Sequence, residues 1–179
     1  MEITYLSKLN DISKALLLAS EHHANQRRKY DGSPYINHLI EVMSLLIKVG
    51  NIASTNLICA AILHDILEDT DIDPKVLEQE FNAEVFLLVK KLTDRKDLSL
   101  EQRRQEVIDK LKGNNGELKS IKLADICSNI ANIPKDWTHE RVTCYVDWLD
   151  EVSLLCKQEN ERLYEEYLLR KQVSLTARL

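Results

Sequence analysis

The chain has 179 residues with 24 basic and 29 acidic side chains, a formal charge of -5, so it is long enough for one domain with a sizeable core, too short for two full catalytic domains, and without the basic excess that draws nucleic acid. Only 4 Gly and 3 Pro accompany a composition that is 44% hydrophobic and 30% charged. That excludes a turn-rich β-sandwich and a disordered chain, and leaves an all-α fold of helices joined by short loops.

Helical spacing of apolar residues predicts helices over about 5–26 (Leu9, Ile12, Leu16, Ala19), 36–49 (Ile36, Ile40, Met43, Leu46, Ile47) and 54–69. It resumes over about 74–93, 99–112, 117–131 and 138–170. Asp31-Gly32-Ser33-Pro34 marks a turn before Tyr35, residues 113–116 (Gly-Asn-Asn-Gly) mark another, Asp73-Pro74 suits a helix start, and Pro134 bends or restarts the chain. No repeat or linker rich in Gly, Ser or Pro divides it, so residues 1–179 read as a single compact multi-helix bundle. The longest uninterrupted apolar run, Leu57–Leu63, is too short to cross a bilayer, and Met1-Glu2 opens no basic, apolar leader. A cytoplasmic protein that engages no membrane is expected. Cys59, Cys127, Cys144 and Cys156 are widely spaced, with no Cys-x-x-Cys pair, and read as buried reduced thiols.

The segment that carries chemistry follows the apolar run: His64-Asp65-Ile66-Leu67-Glu68-Asp69-Thr70. On a continuous helix, His64 and Glu68 extend the stripe of Leu57 and Ala61, while Asp65 and Asp69 extend that of Ile58 and Ile62. Carboxylates aimed inward are costly unless a cation or hydrogen-bond donors satisfy them. His38, at the head of one apolar helix, and Asp125, between apolar neighbours on another, supply the missing partners. The set His38, His64, Asp65 and Asp125 is a nitrogen and oxygen shell suited to Mn²⁺, Fe²⁺ or Zn²⁺ and too rich in nitrogen for Mg²⁺ or Ca²⁺.

The order His38, His64-Asp65, Asp125 resembles the HD superfamily of metal-dependent phosphohydrolases, which are all-helical. A finer pattern is similar to the hydrolase domain of the RelA/SpoT family: Gln26-Arg27-Arg28-Lys29, Gly32 through His38, Ala61 through Thr70, Leu92-Thr93-Asp94-Arg95-Lys96, and Lys122-Leu123-Ala124-Asp125. The likeness runs from about His23 to Trp148, leaving a C-terminal helix over about 150–170 and no room for the synthetase and regulatory domains of the long enzymes. The chain therefore resembles a stand-alone small alarmone hydrolase, similar to the metazoan SpoT-homologue type.

The resemblance implies removal of pyrophosphate from the 3′ position of guanosine tetra- or pentaphosphate, with Mn²⁺ as the usual metal, though another divalent ion is possible. It implies catalytic parts for Glu68 and Asp69, which would share the work of orienting water, taking its proton and protonating the departing ribose oxygen. It carries over Arg28, Lys29 and Lys96 as phosphate cations, Arg27 and Arg141 less securely, and Asn129 and Tyr145 near the nucleotide. Asn129 follows Asp125 by one helical turn and so faces the same way.

Taken singly, each feature has a plainer identity. A short basic run is ordinarily a solvated helix end, and Trp137, Tyr145 and Trp148 at helical spacing are ordinarily core. His22 and His139 read as surface residues, and His23 as structural support. The chain also departs from the family pattern: Ile126 and Cys127 replace a basic residue and Leu, Ala131 replaces an Arg, and Leu39 replaces a Pro. The ligand candidates and both acids are untouched, so hydrolysis stands while base identity and phosphate number stay open. The rival readings are an HD phosphohydrolase acting on an adenosine analogue, NADPH or another nucleotide, and a non-catalytic nucleotide-binding module.

Overall fold

A computed structural model describes residues 2–114 and 116–178. Asn115, within the turn predicted at residues 113–116, lies outside the described residues. Among the described residues the chain forms helices and no strand beyond one isolated bridge between Arg27 and Pro34. The helices are α1 (Glu2–His22), α2 (Ile36–Lys48), α3 (Thr55–Ile62), α4 (Ile66–Asp69), α5 (Pro74–Glu80), α6 (Ala83–Leu92), α7 (Leu100–Lys112), α8 (Gly116–Ala131), α9 (His139–Cys156) and α10 (Glu161–Thr176), with a 3-10 turn at Lys157–Glu159.

Helix α8 is the axis of the bundle. It is buried nearly all round, with Ile121, Leu123, Ala124, Ile126, Cys127 and Ile130 fully enclosed, and it packs against α2, α9 and α10 with further contact to α3 and α6. Helix α3, also apolar on every side from Leu57 to Ile62, lies against α1, α2 and α6. Truncating a buried side chain such as Ile121 or Leu123 to Ala costs about 2–5 kcal/mol. No helix among the described residues is long and apolar enough to cross a membrane.

Three of the predicted helices are interrupted, each for a local reason. Residues 54–69 do not form one helix: the chain leaves α3 at Leu63 (φ -101, ψ 2) and re-enters α4 after Asp65 (φ -99, ψ -3). His64 Nδ1 lies 2.7 Å from the Ala61 carbonyl, so a side chain engages a backbone acceptor of the helix end. The two inward stripes proposed for an unbroken helix are therefore replaced by a turn that carries His64 and Asp65. Residues 74–93 break at Phe81-Asn82, where the Asn82 side chain accepts from the Val85 amide and caps α6. Residues 138–170 break at 157–160, where Asn160 caps α10 by accepting from Leu163 N.

Helix α1 ends at His22, short of residue 26, because the loop beyond it folds back: Arg28 N donates to Ser33 O and Tyr35 N to Gln26 O. Gly32 sits at its tip with φ +71, a conformation that favours glycine. The Asp31 carboxylate accepts from Ser33 N, which lowers its pKa. At Gly50 the start of α10 comes close to the chain leaving α2: a Cβ there would lie 2.8 Å from Leu46 O and 3.1 Å from both Asn160 Nδ2 and Leu163 Cδ1. Asn160 donates to the Gly50 carbonyl across this contact. Three of the four cysteines are buried, and Cys144 is exposed, correcting the expectation of four buried thiols, because it points outward from α9.

Candidate metal centre

Three stretches meet at one point. The loop turning at Gly32 delivers Tyr35 and then His38 in the first turn of α2; the break after α3 presents His64 and Asp65; the middle of α8 presents Asp125. His38, His64 and Asp65 each offer a ligand atom within 4.8 Å of the others. Asp125 Oδ1 joins them, 3.3 Å from His38 Nε2 and 3.7 Å from His64 Nε2, while Asp65 Oδ2 lies 3.6 Å and 3.1 Å from the same atoms. The sequence-derived set thus converges: His38, His64 and Asp125 are 2%, 4% and 5% exposed.

The atoms facing away from the shared centre are held by the protein. His38 Nδ1 pairs with Ser128 Oγ at 2.8 Å and His64 Nδ1 with the Ala61 carbonyl, which leaves both Nε2 atoms facing inward. Lys122 donates to the outer Asp125 Oδ2 at 2.9 Å, while the Tyr35 hydroxyl and Asn129 Nδ2, each at 2.6 Å, donate to Asp65 Oδ2 and Asp125 Oδ1, the oxygens that themselves face the imidazoles. His64 Nε2 is buried with no hydrogen-bond partner. An orphaned imidazole nitrogen between two carboxylates is what a cation site requires, and this donor set fits a divalent metal.

The electrostatics agree. Burial opposes a charged His64, yet the Asp65 and Asp125 carboxylates outweigh it and hold the imidazole pKa well above its ordinary value. The same negative field favours a divalent cation. Burial works against ionised Asp125, but Lys122 and the two imidazoles hold its carboxyl well below the usual range, and His64 and His38 do the same for Asp65. Burial and the Asp65 charge push the Tyr35 hydroxyl far up, so it serves as a donor.

Glu68 and Asp69 lie on α4, beside the cluster. Glu68 Oε2 accepts from the Asp94 amide at 3.1 Å. Burial raises its pKa to about 7, the amide bond works against the rise, and the Asp94, Asp65 and Asp69 carboxylates reinforce it. Asp69 is exposed: Gln26 Nε2 donates to its Oδ2 at 2.8 Å, and Lys96 Nζ stands 3.8 Å from Oδ1.

The remaining candidates form a looser rim. Arg28 reaches Ser128 Oγ at 3.5 Å, beside His38. Arg27 donates to the Ala24 and Gln26 carbonyls of its own loop, and Lys29 is exposed. Arg141 lies 4.0 Å above the Trp137 ring, and Tyr145 stands between Trp137 and Trp148. These aromatics are half-buried against the core, and burial raises the Tyr145 pKa to about 12.

Sequence reasoning assigned no part to Tyr35, Lys122, Ser128 or Glu41. Tyr35 and Lys122 precede His38 and Asp125 by three residues, so helical spacing would have found both. His23, 2% exposed, bonds Gln26 and stacks on Tyr35 with ring centroids 5.1 Å apart. No sequence spacing signals the Gln26 bond to Asp69.

The chain is 37% identical over 168 residues to a zebrafish (Danio rerio) guanosine-3′,5′-bis(diphosphate) 3′-pyrophosphohydrolase, MESH1, covering 88% of this chain and 93% of the relative. The human MESH1 is 34% identical over 176 residues, covering 95% and 98%. A solved structure of a metazoan SpoT orthologue described as hydrolysing ppGpp, with a role in starvation responses, superposes with a TM-score of 0.85 at 31% identity, covering 94% of this chain and 97% of that one. The HD domain model matches residues 15–135, a span that contains all four converging side chains, and the chain belongs to the HD domain family.

Proposed function

We propose that this protein is a guanosine-3′,5′-bis(diphosphate) 3′-pyrophosphohydrolase that uses Mn²⁺ held by His38, His64, Asp65 and Asp125. The observation that carries the reading is the convergence of those side chains around the unpartnered His64 Nε2, in a chain whose full-length relatives bear that activity in their names. A divalent cation there supplies Lewis acidity to a phosphoryl oxygen and lowers the pKa of water.

The protein's own groups supply the rest. Water attacks the phosphorus joined to the ribose 3′ oxygen, the bond to that oxygen breaks, and pyrophosphate leaves with GDP, or GTP from the pentaphosphate, as the other product. Glu68 and Asp69 share the proton transfers, and Glu68, with its pKa near 7, suits an exchange at neutral pH. Gln26 and Lys96 orient Asp69. Arg28, Lys29 and Lys96, with Arg27 behind them, offset phosphate charge. Asn129, Arg141 and Tyr145 border the nucleoside.

The test is incubation of the purified protein with guanosine tetraphosphate, with and without Mn²⁺, followed by chromatography. Equimolar GDP and pyrophosphate that depend on the metal support the reading. Orthophosphate alone, or turnover confined to an adenosine analogue or NADPH, overturns it.

A further inference from the structure

The two imidazoles of the cluster are anchored differently. His64 leans on a carbonyl three residues back, whereas His38 is held through a chain of side chains that ends on α10, beyond the residues matched by the family model. Ser128, with no exposure, places its Oγ 2.8 Å from His38 Nδ1 and 2.7 Å from Glu41 Oε2. Glu41 Oε1 in turn meets Arg170 at 2.5 Å, and Arg170 also bonds Glu166 at 2.6 Å and the Cys127 carbonyl at 3.3 Å.

Proton counting gives this chain a direction. A carboxylate paired with a guanidinium is ionised and only accepts, so the single hydroxyl proton of Ser128 goes to Glu41. Arg28, donating toward the same oxygen at 3.5 Å, leaves no other role for that proton. The Ser128 oxygen must therefore accept from His38, so Nδ1 carries the imidazole proton and Nε2, facing Asp65 and Asp125, keeps its lone pair.

We infer that Glu41 and Ser128 are positioning residues which fix the tautomer of His38 for metal binding, and that Arg170 makes the C-terminal helix part of this support. The inference rests on the metal reading above. Nothing in the His-Asp motif announces it, since Glu41, Ser128 and Arg170 are ordinary polar residues on three separate helices.

The experiment measures Mn²⁺ affinity by titration calorimetry on the full chain, with the thermal midpoint recorded alongside. Ser128→Ala keeps the Glu41–Arg170 pair but removes the acceptor from Nδ1, and weakens binding about 10- to 100-fold. Glu41→Gln keeps the shape of the relay and loses its charge, which weakens binding by a smaller factor. Arg170→Met, which undoes the anchor of α10 while leaving the hydroxyl on the imidazole, lowers the thermal midpoint more than it lowers affinity. If Ser128→Ala fails to fold, Glu41→Gln decides alone. Variants that fold and bind Mn²⁺ as tightly as the parent overturn the inference, whereas a parent that binds no divalent metal overturns the metal reading beneath it.

Discussion

The buried His-Asp cluster and the charged rim beside it are built on opposite terms. His38, His64 and Asp125 are almost fully buried, and the polar atoms they turn outward are tied to Ser128, the Ala61 carbonyl and Lys122. Around them, Glu68 is half-buried, Asp69 is exposed, the Lys96 side chain is 61% exposed, and their contacts run to loops: the Asp94 amide, Gln26 and each other. The difference separates two tasks. A cation site must be rigid before anything binds, because each buried carboxylate is costly without fixed partners. Groups that meet a flexible, highly charged nucleotide gain from staying solvated until it arrives.

Breaking the buried side should have the largest effect. Asp65→Ala removes one carboxylate from the cluster, so the protein should lose its metal by elemental analysis and its turnover should drop to background. Glu68→Gln, on the rim, should retain the metal and lose turnover by about 10²- to 10⁴-fold; equal loss of metal would move Glu68 into the buried set. Lys96→Ala should be milder still. With its ammonium exposed and 3.8 Å from Asp69, its removal should raise KM several-fold and leave metal content unchanged.

The smallest effect sharpens the contrast through pH. The pKa of Glu68 is raised from 4.5 to about 7, so the fold prefers the protonated acid. That preference stabilises the metal-free protein below about pH 4.5 and is lost as pH rises through 7. In chelator, Glu68→Gln should match the parent at low pH and exceed it at pH 8, by about 1 kcal/mol once solvent screening of a half-buried group is allowed for. Thermal melts at the two pH values read this directly. A variant less stable at pH 8 would show that the ionised acid has partners beyond the Asp94 amide.

The buried side was also the legible side. His38, His64, Asp65 and Asp125 stand among apolar residues, where a charged or polar side chain is conspicuous, and the structure brings all four together. Helix positions were legible from apolar spacing, but not the interruptions. Asn82 and Asn160 act as caps through side-chain bonds inside runs whose periodicity continues across them, and the His64 turn is set by a bond to Ala61 that no spacing announces. The Gln26–Asp69 contact and the Arg170–Glu41–Ser128 chain join residues far apart in sequence, so only the packed bundle brings them within reach.

Gly50 gives that packing an unexpected reach. Its bare α-carbon lets the first turn of α10 settle against the chain leaving α2, with Asn160 and Leu163 close enough that a single methyl group would have to displace them. About two turns further along, the same helix carries Arg170. A wedge at residue 50 would therefore act as a lever, tilting the guanidinium off Glu41 and loosening an imidazole it never touches.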